Sequence, residues 1–88
     1  MKPYIDNYVG EDEWVREFPV DVDSEELHWH RDKKDREIEV LFGEGWMFQR
    51  DNEIPFIINT YSKFKINAMV YHRIIKGTTP LIIKIKET

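Results

Sequence analysis

From residue 25 onward, apolar and polar side chains alternate in short runs, the period-two pattern of strands that bury one face. The segment 36–42 reads Arg-Glu-Ile-Glu-Val-Leu-Phe and sets Ile38, Val40 and Phe42 on one side, while 81–86 alternates isoleucine with lysine. Further strands are expected over 26–31, 46–50, 54–59, 63–67 (Phe64 and Ile66 on one face) and 70–76. Turn chemistry separates them: Asp32-Lys33-Lys34-Asp35, Gly43-Glu44-Gly45, Asp51-Asn52-Glu53 and Gly77-Thr78-Thr79. Pro55 and Pro80 fall at strand starts, where a missing N–H is tolerated. Short strands at this spacing predict an all-β sandwich or barrel, and no segment has both the length and the period of a helix.

Residues 1–24 carry a weaker pattern, with Trp14, Val15, Phe18, Val20 and Val22 spaced by acids and Pro19 disfavouring a helix. They are read as an irregular N-terminal arm that packs on the barrel, or on a partner subunit, through Trp14 and Phe18; a short helix over 11–17 is the alternative. Residues 25–88 form the barrel domain on this reading. In 46–50 the large aromatics favour Trp46 and Phe48 inside over Met47 and Gln49. Tyr71 and Arg73 alternate away from His72 and read as solvent or interface positions, while Trp29, turned away from His28 and His30, reads as packing against the N-terminal arm or a partner subunit.

Eighty-eight residues make one domain whose stability is marginal enough for a metal or partner to help. There is no cysteine, which removes disulfides, zinc–thiolate sites and thiol catalysis. The first residues lack the apolar core of a signal peptide and the longest apolar runs are too short to span a bilayer, so no membrane association and a cytoplasmic location are expected. The net charge of −4 argues against a nucleic-acid partner. Between Glu11 and Glu26 there are eight acids and one base, and from Lys63 to Thr88 six bases and one acid. The two ends could attract each other, within one chain or between two; two unlike solvated faces are the alternative.

All three histidines lie in expected strands: His28 and His30, two apart and therefore on one face, and His72 far downstream. Imidazole is the commonest metal ligand near neutral pH, and the three together suggest a site for a divalent ion, Fe, Mn, Ni, Cu or Zn. The segment 27–75 resembles the small, single-domain cupins, RmlC-like jelly-roll β-barrels with a metal inside the barrel. Their first motif, His-X-His followed by a Glu and a Gly, is matched by His28-Trp29-His30 and Gly43. Their second, Ile-Pro-Ala-Gly then two residues and a His, is matched in register by Ile66-Asn67-Ala68-Met69-Val70-Tyr71-His72, with Asn67 for the Pro and Met69 for the Gly. The position of the motif glutamate holds Arg36 instead; a bulge in the preceding turn could re-aim Asp35 or Glu37, and the favoured set is His28, His30 and His72 alone.

An inward arginine beside a metal needs an anionic partner. Arg36 is accordingly the candidate for gripping a small anionic substrate, unless it sits at the barrel mouth paired with Asp32 or Asp35. Two functional classes stay open: a binding module for metal or a small ligand, and a metal-dependent oxygenase or isomerase. A metal-free jelly roll with hydrogen-bonded core histidines is a third. The resemblance also implies a homodimer, for which Trp29, Tyr71, Leu81 and Ile83 are the apolar candidates.

Overall fold

The computed structural model describes residues 2–88. Among these residues eight strands form two antiparallel sheets, as in a jelly roll: β1 (Ile5–Tyr8), β2 (Glu13–Phe18), β3 (Arg36–Phe42), β4 (Met47–Arg50), β5 (Phe56–Ile57), β6 (Lys63–Ile66), β7 (His72–Ile75) and β8 (Leu81–Glu87). One sheet runs β1-β2-β8-β3-β6 and the other β5-β4-β7. Among the described residues the one helical segment is a 3-10 turn at Ser24–Glu26, and no helix is long and apolar enough to cross a membrane.

The alternation decides which faces meet. Ile38 and Val40 on β3, Phe48 on β4, Ile66 on β6 and Leu81, Ile83 and Ile85 on β8 are all buried, with Trp46 and Ile58 closing the interior. Burying a large aliphatic or aromatic side chain stabilises by about 1.5–3 kcal/mol, so these inward positions outweigh the short strands' local preferences. The Trp46 indole keeps its buried donor satisfied by donating to the Thr79 carbonyl at 2.8 Å. Leu81 and Ile83, offered as interface positions, lie in this core, whereas Trp29 and Tyr71 are exposed.

Three expectations are corrected. The N-terminal arm is irregular only in part: within residues 2–24, β1 and β2 form a hairpin, and all six residues of β2 pair with β8. Trp14 and Phe18 are buried, so the packing expected of them holds while the conformation differs. The acidic and basic ends of the chain do meet inside one molecule, with Lys84 3.1 Å from Glu13. Phe42 leaves the inner face because the β3–β8 register shifts between Val40 and Phe42, a bulge that turns it outward. The 26–31 strand is absent; its second half contributes one isolated bridge, His30 to His72, while its start is the end of the 3-10 turn.

Met69, in the place where the resemblance has glycine, adopts φ +67°. The backbone conformation is thus the one a glycine would favour, held by a side chain that tolerates it poorly. Two hydrogen bonds secure it: Met69 N–H donates to the Asp32 carbonyl and Ala68 N–H to Asp35 Oδ1, both at 2.7 Å. This clasp fastens the 32–35 turn against the segment leading into β7.

Candidate metal centre

The bridge between residues 30 and 72 is what brings two histidines together. His30 N–H donates to the His72 carbonyl at 3.0 Å and His72 N–H to the His30 carbonyl at 2.9 Å. Residues facing each other in an antiparallel pair project to the same side, and the two rings meet edge to face with centroids 4.3 Å apart. His72 is buried and lies against the Phe48 ring, while His30 is open to solvent on its outer side.

Each ring is oriented by its own backbone. His72 Nδ1 lies 2.8 Å from the Val70 carbonyl and His30 Nδ1 3.0 Å from the His28 carbonyl. A carbonyl only accepts, so both Nδ1 atoms carry the proton, and in the neutral rings each Nε2 is left with its lone pair. Two residues beyond His30, Asp32 enters the same space, and the three residues offer ligand atoms within 4.8 Å of one another.

The Asp32 carboxylate is divided between two roles. Its Oδ1 lies 3.3 Å from Arg36 Nη1, and Arg36 Nε donates to Glu87 Oε2 at 3.0 Å. Its Oδ2 is 3.3 Å from His72 Nε2 and buried, yet accepts no hydrogen bond among the described residues. A neutral His72 would therefore turn a lone pair toward a carboxylate oxygen, an unfavourable contact unless a proton or a cation stands between them.

Burial alone would raise the Asp32 pKa; the contact with His72 and the charge of Arg36 outweigh it and hold the carboxyl below its ordinary value of 3.8. Burial lowers His30 from its ordinary 6.5, helped by the neighbouring His72 and the Arg36 guanidinium and opposed by the His28 carbonyl and Asp32. Near neutral pH the pair is thus a carboxylate and a neutral imidazole, the states in which both bind metal.

The residues predicted from sequence part company here. His30 and His72 are brought together. His28 lines the same cavity, but its ring stands outside the cluster and the residue is exposed. Asp35 is taken up by the Ala68 N–H and Lys65. Arg36 reaches the cavity wall already paired with Asp32 and Glu87. Asp32 belongs to the turn expected over 32–35, and the sequence signal that points to it as a ligand is its spacing of two from His30. Behind the cluster a cavity of about 310 Å³ runs into the barrel, walled by Ile38, Phe48, Phe64, Ile66, Ile83 and Ile85.

No protein-family model matches the chain, and no curated protein matches it either. Solved structures do. HppE holding cobalt(II), in complex with Tris buffer, superimposes with a TM-score of 0.76 at 16% identity, over 100% of this chain and 55% of that one. The DMSP lyase DddQ from Ruegeria pomeroyi DSS-3 gives 0.72 at 13% identity, over 85% of this chain and 36% of the lyase. A cupin domain from Bordetella pertussis Tohama I gives 0.64 at 15%, over 97% of this chain and 91% of that domain. The chain has the cupin jelly-roll fold. It spans about half the length of HppE and about a third of the DMSP lyase.

Proposed function

We propose that this cupin barrel binds one divalent metal ion through His30 Nε2, His72 Nε2 and Asp32 Oδ2. The observation that carries the reading is the buried, unpartnered Asp32 Oδ2 facing two imidazoles whose Nδ1 protons are both committed to backbone carbonyls. Outer partners of this kind commonly fix the tautomer and aim of metal-binding histidines. The set has Asp32 where the sequence suggested His28. Two imidazoles and a carboxylate with positions left open suit Fe, Mn, Ni, Cu or Zn, and in iron oxygenases that donor set is well attested. An ion held there would supply Lewis acidity or redox chemistry to an oxygen donor in the cavity.

The chain's own residues do the rest. Arg36 holds Asp32 through Oδ1 so that Oδ2 points toward the histidines, and the Val70 and His28 carbonyls keep both rings in the required tautomer. Phe48 and the aliphatic wall limit water behind the site. A metal-dependent enzyme is the second reading, supported by fold neighbours that include a lyase and a metal-holding protein.

Metal titration by calorimetry on chelator-stripped protein separates the ligand sets. Wild type should take up close to one zinc or ferrous ion per chain. His72→Ala and Asp32→Asn should weaken binding by about 10–100-fold or more, and His28→Ala should leave it nearly unchanged. Equal loss in His28→Ala and His72→Ala would restore the three-histidine set, and a wild type that binds no ion would end the metal reading.

A further inference from the structure

The cavity behind the histidines has a charge pattern that selects its occupant. Two guanidinium groups reach its wall, and both are spoken for. Arg16 Nε and Nη2 donate to the two oxygens of Asp6 at 2.8 and 2.9 Å, and the Tyr4 ring covers its face at 3.6 Å. Arg36 is held between Asp32 and Glu87. A fourth carboxylate, Glu26, also lines the cavity. On the wall itself the two guanidinium groups are matched by two carboxylates, Asp32 and Glu26, while Asp6 and Glu87 hold the guanidinium groups from outside the lining, so no positive charge is left over.

An anionic ligand would find no spare positive charge there. It would have to strip a guanidinium from its carboxylate, leaving that carboxylate unpaired in a partly buried position. The remaining wall is aliphatic and aromatic: Ile38, Ile66, Ile83 and Ile85 from one sheet face Phe48 and Ile74 from the other. At about 310 Å³ the space is at the small end of ligand pockets.

We propose that the barrel takes an uncharged, largely apolar small molecule carrying one oxygen donor, such as an alcohol or ketone, with that oxygen turned toward the His30–Asp32–His72 end. The aim of the oxygen rests on the metal reading; the uncharged, apolar body does not. The anionic substrate suggested by the sequence required a free Arg36, and Arg36 is not free.

A matched pair of probes, 1-hexanol and hexanoate, tests this on the intact protein with isoleucine methyl groups followed by NMR. The first titration is done in EDTA, so it does not depend on metal. Hexanol should shift the methyls of Ile38, Ile66, Ile83 and Ile85 and bind at least about tenfold more tightly than hexanoate. Hexanoate binding as tightly as hexanol, shifts confined to surface isoleucines such as Ile54 and Ile57, or no binding of hexanol would each overturn the proposal. In protein shown by calorimetry to hold zinc, hexanol affinity should rise by about threefold or more as its oxygen gains a partner. An unchanged affinity with zinc bound would remove the oriented oxygen, whereas a protein that takes no zinc would fail the metal reading and leave the EDTA result standing.

Discussion

Replacing Arg36 by methionine isolates the device that holds the candidate site. Methionine keeps an unbranched apolar stem in place while deleting the guanidinium. Two carboxylates then lose their partner at once: Asp32, whose side chain is 11% exposed, and Glu87, 21% exposed, against 16% for Arg36 itself. Breaking a fully buried pair costs about 3–5 kcal/mol, and exposed pairs contribute about 0–1 kcal/mol each. Two mostly shielded contacts place this loss between those limits, at about 2 kcal/mol. For a domain of this length that is a fall in Tm of about 8–16 °C. Differential scanning calorimetry on metal-free protein reads it directly. The effect should also depend on pH in a defined sense. Asp32 titrates below 3.8 in the folded protein, so the stability it draws from its partners is complete above that value and is lost as the pH falls through the folded one. The gap between variant and wild type should therefore narrow in acid. A fall in Tm under about 3 °C, or a gap that does not narrow, would mean that water screens these contacts and that Arg36 positions nothing.

Two other outcomes follow from the same geometry. Met69→Gly should stabilise the protein by about 1 kcal/mol, because it removes the strain of a side chain at φ +67° while giving up a half-exposed contact; an unchanged or lowered Tm would show that the methionine packs better than its exposure implies. Metal-free protein should lose urea resistance as the pH falls below 6.5, since the unfolded chain takes up the His30 proton before the folded one does, and again below 3.8 through Asp32. His30→Ala should abolish the first step; a urea midpoint that rises on acidification would contradict the direction of both shifts.

How far the sequence carried the fold depends on the residues involved. β3 and β8 were legible to the residue at one end or both because Ile and Val alternate with Glu and Lys. β2 was not, and the cause is Arg16: it lies between Trp14 and Phe18 on the inner side, so the apolar alternation is interrupted by a cation that Asp6 neutralises from the neighbouring strand. A cross-strand partner cannot be seen in a one-dimensional pattern. The site shows the same limit. Strand alternation paired His28 with His30, but no strand forms there, and the pairing that matters is the bridge to His72. The spacing of His72 came from the resemblance; the carboxylate came from a turn whose shape depends on the clasp to Ala68 and Met69.

The outer face of the five-stranded sheet has its own logic. In register across four strands lie Glu13, Lys86, Glu37 and Lys65, and in the next row Lys84, Glu39 and Lys63. Each of β8, β3 and β6 carries only one sign on this face. Sliding any of them by two residues still sets lysine opposite glutamate, so the charges are indifferent to register. Exchanging neighbours is another matter: β8 beside β6 would oppose lysine to lysine, and β2 beside β3 glutamate to glutamate. The surface thus encodes the order in which strands assemble, and the apolar face together with the bulge after Val40 encodes where along their length they stop.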